Sequence, residues 1–243
     1  MVTGAAGGIG RATARAFAAE GARVVVSDVD PGGGAETVRL INEAGGDAAF
    51  VACDVSDPEA VRQLIDGAAE RWGRLDAVVN NAGVGGVRAP TAAYPEADWS
   101  RTLAVNAGGV FYGTKHALRH LVPAGRGSVV NVASVAGLAG FPGSVAYCAS
   151  KHAVVGVTRA AALEVARSGV TVNAVCPAFT ETAMVDAIRQ FDPDLGGKLA
   201  RSMPVGRLGT VEEIAAAILF LCGPEARFLT GVALPLDGGL TAA

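Results

Sequence analysis

The chain has 243 residues, 51% of them hydrophobic but only 5% aromatic, and a formal net charge of -3. Length and apolar content fit one α/β core filled by Ala, Val, Leu and Ile, the side chains that pack helices on a parallel sheet. The acidic balance excludes the dense Lys/Arg face that a nucleic acid demands, and no apolar run reaches the roughly 18 uncharged residues of a membrane span.

Only Met1 and Val2 precede a glycine-rich loop, Thr3-Gly4-Ala5-Ala6-Gly7-Gly8-Ile9-Gly10. A central strand ordinarily takes about five residues, so either the first strand is unusually short or the sequence begins late. The loop has the spacing G-x-x-x-G-x-G in place of G-x-G-x-x-G, and it runs straight into a predicted helix, Gly8 to Glu20. Its glycines allow a tight turn, and the free N–H groups and positive end of the helix would face a pyrophosphate along Gly4, Gly8, Ile9 and Gly10. A strand from Ala22 to Ser27 follows and ends in Asp28. A carboxylate about 20 residues beyond the loop accepts from both adenosine ribose hydroxyls and repels a 2′-phosphate, which favours NAD over NADP. The plainer reading of Asp28 is a solvated turn residue beside Asp30 and Pro31.

A helix over Ala35 to Ala44 leads to a strand, Ala48 to Ala52, closed by Cys53-Asp54-Val55. Asp54, with Val55 beside it, is placed to meet an adenine amino group. Ser56-Asp57-Pro58 opens a helix to Trp72, proline at a first helical position losing no needed hydrogen bond. After a strand over Ala77 to Val79 come Asn80-Asn81-Ala82-Gly83. Small residues there let the backbone pass close to a cofactor, and an Asn side chain can tie two strand ends together; alone, the segment reads as a turn. One long helix is predicted from Ala97 to Leu121, loosened by Gly108 and Gly109. His116 and His120 lie at i, i+4 within it, a zinc-like spacing with no third ligand in sight, so a surface or interface role is expected and no metal. Cys53, Cys148, Cys176 and Cys222 are scattered and read as small buried hydrophobes.

A strand from Ser128 to Ala133 delivers Ser134, and a helix from Ala146 to Arg167 carries Tyr147 and Lys151 at i, i+4 on one face. A phenol with a pKa near 10 is a poor base; lowering it by about 3 units takes roughly 4 kcal/mol, which a nearby ammonium in a desolvated cleft can supply. Without a partner such as Ser134, the same pair is an exposed helical contact. Beyond a strand at Thr171 to Val175, the stretch Ala178 to Gly206 carries Pro193, Gly196, Gly197 and Pro204 with short helical pieces. Such an insertion after a strand's C-terminal end reads as a substrate lid, partly apolar through Met184, Ile188, Phe191 and Leu195, or else as a surface excursion. A helix at Val211 to Leu221 and a strand at Gly231 to Pro235 complete the chain.

The glycine loop, Asn80-Asn81-Ala82-Gly83, Ser134 and Tyr147-x-x-x-Lys151 stand in the order and spacing of the short-chain dehydrogenases/reductases, and the chain resembles that family over essentially its whole length. Asn106, within Leu103-Ala104-Val105-Asn106, and Asp237-Gly238-Gly239 extend the match. The resemblance implies a single-domain Rossmann fold, a doubly wound parallel β-sheet with helices on both faces. It implies a catalytic tetrad: Tyr147 exchanging a proton with the substrate oxygen, Lys151 lowering the tyrosine pKa and holding the nicotinamide ribose, Ser134 bonding the substrate oxygen, and Asn106 holding a water that links Lys151 to solvent. Gly4, Gly8, Ile9, Gly10, Asp28, Asp54, Val55, Asn81, Ala82, Gly83, Tyr147, Lys151, Pro177, Thr180 and Thr182 would line the cofactor. One departure stands out: the family has Pro-Gly where this chain has Pro177-Ala178, which puts the backbone approach to the nicotinamide in question.

The leading expectation is an NAD-dependent enzyme moving hydride between a nicotinamide and a secondary alcohol or its ketone, cyclic alcohols included. A 3-oxoacyl-carrier-protein reductase is the runner-up, though such enzymes usually prefer NADP, and Arg119 and Arg126 make only a modest docking patch for an acidic carrier. A non-catalytic dinucleotide sensor would have little need of Ser134, Tyr147 and Lys151 together. The apolar stretches Ala153–Leu163 and Ile214–Leu221 need covering on both sides, which predicts a homo-oligomer, by resemblance a tetramer. A cytoplasmic location is expected.

Overall fold

Strands β1 (Val2–Thr3), β2 (Arg23–Asp28), β3 (Asp47–Ala52), β4 (Ala77–Asn80), β5 (Gly127–Val132), β6 (Val170–Pro177) and β7 (Ala233–Leu236) form one sheet in the order β3-β2-β1-β4-β5-β6-β7. Every pairing is parallel. This computed structural model describes residues 1–182 and 195–242. Every residue of β5 and β6 is buried, as a sheet covered on both faces requires. β1 has only two residues, yet it lies at the centre, with Val2 opposite Val26 on one side and Val79 on the other.

Helices α1 (Gly8–Ala19), α2 (Pro31–Glu43), α3 (Pro58–Arg71), α4 (Glu96–Leu103), α5 (Gly109–Ala124), α6 (Val145–Val165), α7 (Leu195–Ser202) and α8 (Val211–Cys222) connect the strands. Ala14 of α1, Ile41 of α2 and Ile214, Ile218 and Leu221 of α8 share one core with Val24, Val26, Val79 and Val130. Leu64 and Ile65 of α3, Ala117 and Leu121 of α5 and Ala161 and Ala162 of α6 share another with Val25, Val78, Val129 and Val172. The sheet is therefore sandwiched by the two helix sets, a doubly wound Rossmann architecture. Strand order reverses between β1 and β4, so their C-terminal ends open a crevice where ligands of such sheets bind.

The long helix expected over Ala97 to Leu121 is two helices joined by a π-turn, Ala104–Gly108. The paired glycines lie at its exit, and Asn106 at its middle is fully buried. His116 is not a surface residue: it is 6% exposed, its Nδ1 has no partner, and burial lowers its pKa. His120 instead meets Asp66 at 2.7 Å, so the two histidines serve different surroundings. Cys53 and Cys176 are buried, whereas Cys148 and Cys222 are partly exposed. The apolar stretches are largely consumed within the subunit, since Val154, Val155, Ala161, Ala162, Ile214 and Ile218 are buried in it. Of the expected lid, Met184, Ile188, Phe191 and Pro193, and the side chain of Leu195, lie outside the described residues.

Candidate active site

At the end of β1, Gly4 turns the chain with φ +64°, and Gly8 starts α1 with φ +50°. Both angles lie in the left-handed region, where a side chain is strained. Each glycine also has a steric task. A Cβ on Gly4 would come within 2.7 Å of Ala82 Cα, and one on Gly10 within 2.1 Å of Gly4 O, so the loop, α1 and the β4 end are packed backbone to backbone. A Cβ on Gly7 would meet nothing within 4 Å, and one on Gly8 only Thr182, at 3.6 Å. The loop thus presents open space at Gly7 and Gly8. Gly7 is the N-cap of α1 and no side chain caps it, so the first N–H groups of the helix remain for an outside acceptor. Ile9 follows, packed against the core beneath. These features fit a pyrophosphate.

Asp28 ends β2 beside this loop. Its Oδ2 accepts from Ala6 N at 2.9 Å and its Oδ1 from Asp30 N at 3.1 Å, which aims the carboxylate at the crevice rim. Asp54 lies exposed past β3, with Oδ1 accepting from Ser56 N at 2.9 Å and Ser56 Oγ at 2.7 Å. Val55 is buried against the start of α5, where a Cβ on Gly109 would approach its Cγ2 to 2.8 Å.

The expected strand tie is made by Asn81, whose Nδ2 donates to Thr3 O at 2.8 Å and Gly4 O at 3.0 Å. In return, the N–H groups of Asn81 and Ala82 donate to Thr3 Oγ1 at 3.0 and 3.2 Å. Asn80 points the other way, into a buried network that sequence reasoning missed. Its Nδ2 donates to Asn131 Oδ1 at 2.8 Å, and Asn131 Nδ2 donates to Thr158 Oγ1 at 2.9 Å, which joins β4, β5 and α6. Only the in-register pairing of Asn80 with Asn131 could have hinted at it.

Ser134, Tyr147, Lys151 and Asn106 converge from β5, α6 and the π-turn. Ser134 Oγ donates to Pro177 O at 3.3 Å and accepts from Ala136 N at 3.2 Å, which places it at the mouth of the β5–β6 edge. Burial pushes the Tyr147 phenol above its usual value, while a hydrogen bond with the Ser134 side chain pulls it down. Lys151 is 4% exposed and donates from Nζ to Val132 O at 2.8 Å. Its ammonium lies 5.6 Å from the centroid of the Tyr147 ring, and burial lowers its pKa to about 8. The ammonium is directed at a main-chain carbonyl and lies against the ring, so desolvation decides the phenol's proton affinity.

Asn106 makes three side-chain hydrogen bonds at the same junction. Its Oδ1 accepts from Val84 N at 2.8 Å, and its Nδ2 donates to Val84 O at 2.9 Å and to Ser150 Oγ at 3.0 Å. Both amide hydrogens are committed, so the side chain fixes the loop after β4 against α6. Gly83 passes directly over this junction, where a Cβ would lie 3.1 Å from Asn106 Oδ1 and 3.6 Å from Lys151 Nζ. Cys176, which the sequence left as filler, is in the same neighbourhood: its thiol interacts with the Ser134 main chain and Lys151, and burial raises its pKa to about 11.

Pro177 is the last residue of β6, and Ala178 N donates to Leu236 O at 3.1 Å. Among the described residues no non-glycine has a positive φ, so Ala178 occupies an ordinary backbone conformation. Thr180 is buried and donates from Oγ1 to Ala178 O at 3.3 Å. Thr182 is the residue that reaches the glycine loop. The described residues hold no group of three or more His, Cys, Asp or Glu able to bind a metal ion, and no helix long and apolar enough to cross a membrane.

Known proteins show the same plan. A family model described as "Enoyl-(Acyl carrier protein) reductase" matches residues 4–241. The cis-4-hydroxycyclohexanecarboxylate dehydrogenase of Sinomonas cyclohexanicum is 43% identical over 242 residues, 100% of this chain and 96% of that protein. The crystal structure of levodione reductase superposes with a TM-score of 0.96 at 36% identity, covering 99% of this chain and 96% of that one. NAD+-bound xylitol dehydrogenase gives a TM-score of 0.93 at 34% identity, covering 98% and 96%. The chain belongs to the short-chain dehydrogenase/reductase family and is an oxidoreductase of CH–OH groups that works with a nicotinamide cofactor.

Proposed function

We propose that the protein is an NAD-dependent dehydrogenase of a secondary, cyclic alcohol, with Asn106, Ser134, Tyr147 and Lys151 as its working residues. The observation that carries this reading is the buried Lys151 ammonium, 5.6 Å from the centroid of the half-buried Tyr147 ring, beside Ser134 at the end of β5. The relative whose name includes a hydroxylated cyclohexane ring supports the cyclic substrate.

The nicotinamide, when bound, accepts hydride from the alcohol carbon or returns it to the ketone. Gly4, Gly8, Ile9 and Gly10 would hold the pyrophosphate, with Thr182 beside Gly8. Asp28 would take the ribose hydroxyls and exclude a 2′-phosphate, while Asp54 and Val55 would border the adenine. Asn81, Ala82, Gly83, Pro177 and Thr180 would line the path to the nicotinamide. Ser134 offers its hydroxyl to the substrate oxygen and steadies the charge that develops there. Tyr147, kept protonated by burial, gives its proton to that oxygen during reduction and takes it back during oxidation. Lys151 supplies positive charge when the phenol is deprotonated. Asn106 acts as a positioning residue for Val84 and Ser150.

Leu163 is 81% exposed, Phe220 47% and Phe228 102%, apolar surface that supports a homotetramer. The location we propose is cytoplasmic. The test of the functional reading is a panel of secondary alcohols and ketones assayed with NAD and NADP in both directions. Cyclic alcohols should be oxidised with NAD at a kcat/KM at least tenfold above that with NADP. Preference for NADP, or turnover confined to acyl thioesters, would overturn it.

A further inference from the structure

The Asp237-Gly238-Gly239 segment takes no part in the chemistry above, yet three hydrogen bonds to one carboxylate tie its turn together. Asp237 is 9% exposed. Its Oδ1 accepts from Gly239 N at 3.0 Å, and its Oδ2 accepts from Thr241 N at 2.9 Å and Thr241 Oγ1 at 2.6 Å. Gly238 and Gly239 have φ +56° and +89°, and a Cβ on Gly238 would collide with Val205 Cγ2 at 2.5 Å. The carboxylate thus folds the chain back on itself immediately after β7.

What this turn presents is Leu240. Leu240 and Thr241 form one wall of a groove of about 580 Å³ whose other wall is Leu138, Ala139 and Phe141. Both walls are joined by a short run of chain to residues of the reacting centre. Leu138 to Phe141 lie between Ser134 and α6, and Phe141 O accepts from Ser144 N at 3.2 Å, just ahead of the helix turn that carries Tyr147. On the other side, Ser134 Oγ donates to Pro177 O, Pro177 pairs with Leu236, and Asp237 is the next residue. The groove's lining is apolar at Leu138, Ala139, Phe141 and Leu240, and the hydroxyl of Thr241 is already spent on Asp237.

We propose that this groove receives the hydrocarbon body of the substrate, that Leu240 and Phe141 determine its size, and that Asp237 is the positioning residue that sets Leu240 in place. The inference rests on the dehydrogenase reading and adds to it the requirement that the group on the carbinol carbon be an apolar ring facing the C-terminal turn. A substrate whose bulk is charged or strongly hydrated would leave carbon walls facing water and gain nothing from them.

The experiment compares KM and kcat for cyclohexanol and 2-propanol in the wild type, Leu240→Ala, Leu240→Trp and Asp237→Asn, with thermal unfolding and NADH binding followed for each. In Leu240→Ala the ratio of KM for cyclohexanol to KM for 2-propanol rises about tenfold, the loss expected for a few carbons of apolar contact. Leu240→Trp, which fills the groove in place of emptying it, raises the same ratio by obstruction. Asp237→Asn moves the ratio in the direction of Leu240→Ala with NADH affinity retained, a split that a merely structural role would not produce. A ratio unchanged in both Leu240 variants, or equal losses for the two alcohols, overturns the inference while the dehydrogenase reading stands. Failure of the wild type to oxidise either alcohol, or any other member of the panel, overturns both.

Discussion

Burial of the Lys151 ammonium beside the Tyr147 ring is the most consequential choice this sequence makes at the scale of residues. Lys151 titrates at about 8 in the folded protein, below its ordinary 10.5, because burial disfavours its charge. Between those two values the unfolded chain holds more protons than the native one, so stability rises with pH across that window. The penalty is fully present below pH about 8, amounts to at most about 3 kcal/mol, and disappears toward pH 10.5. Lys151→Met should therefore be inactive yet more stable than the wild type at pH 7, the two unfolding free energies converging as pH rises; denaturant titrations at pH 7 and pH 10 check this, and a constant gap would refute it. The raised pKa of Tyr147 has a kinetic counterpart. With the phenol protonated at neutral pH, ketone reduction should be fastest near neutrality and fall as pH rises, while alcohol oxidation climbs with alkalinity until Lys151 loses its charge; initial rates in both directions against pH read this out. In the proposed reading Asp28 sets cofactor choice by like-charge repulsion, and Asp28→Asn keeps one acceptor for Ala6 N. Its NAD over NADP preference should shrink by about tenfold or more, and an unaltered preference would remove Asp28 from that role.

Local pattern carried most of the elements because each was consistent with its neighbours. Valine runs read as strands buried on both faces, and Ser56-Asp57-Pro58 read as a helix start, with Asp57 Oδ1 accepting from Glu59 N at 2.8 Å. The long helix through Asn106 was misread for a physical reason: a π-turn adds one residue to a turn without changing the amphipathic pattern on either side, so periodicity runs through it. What betrays it is the demand of a buried carboxamide for three partners, and those lie on Val84 and Ser150, remote in sequence. Asn106→Ala should cost about 2 to 4 kcal/mol, because Val84 N–H and Ser150 lose a partner in a buried setting. Thermal unfolding measures it; a neutral substitution would show that the loop after β4 is held by other means. The glycine loop was legible as a phosphate cradle, but the separate duties of its glycines were not. Gly10 serves close packing against Gly4 O, and Gly8 leaves open space beside Thr182.

At the scale of the molecule, the fold placed residues from four distant segments around one crevice, and sequence order foretold which residues but not how they touch. Tyr147 and Lys151 were recognisable from their spacing, whereas the direction of the ammonium toward Val132 O depends on the β5–α6 packing, which no local pattern encodes. Assembly was inferred from apolar helices, most of whose side chains proved to be spent inside the subunit. The argument now rests on a few exposed ones, so Leu163→Asp or Phe228→Asp should reduce the sedimentation coefficient of the oligomer, and a wild type that already sediments as a monomer would contradict the proposal. The central claim is that the Tyr147 hydroxyl exchanges the substrate's proton. Tyr147→Phe, assayed under saturating NAD on an alcohol the wild type oxidises, should lose about a thousandfold in kcat while binding NADH with wild-type affinity; turnover within a fewfold of the wild type would contradict the account.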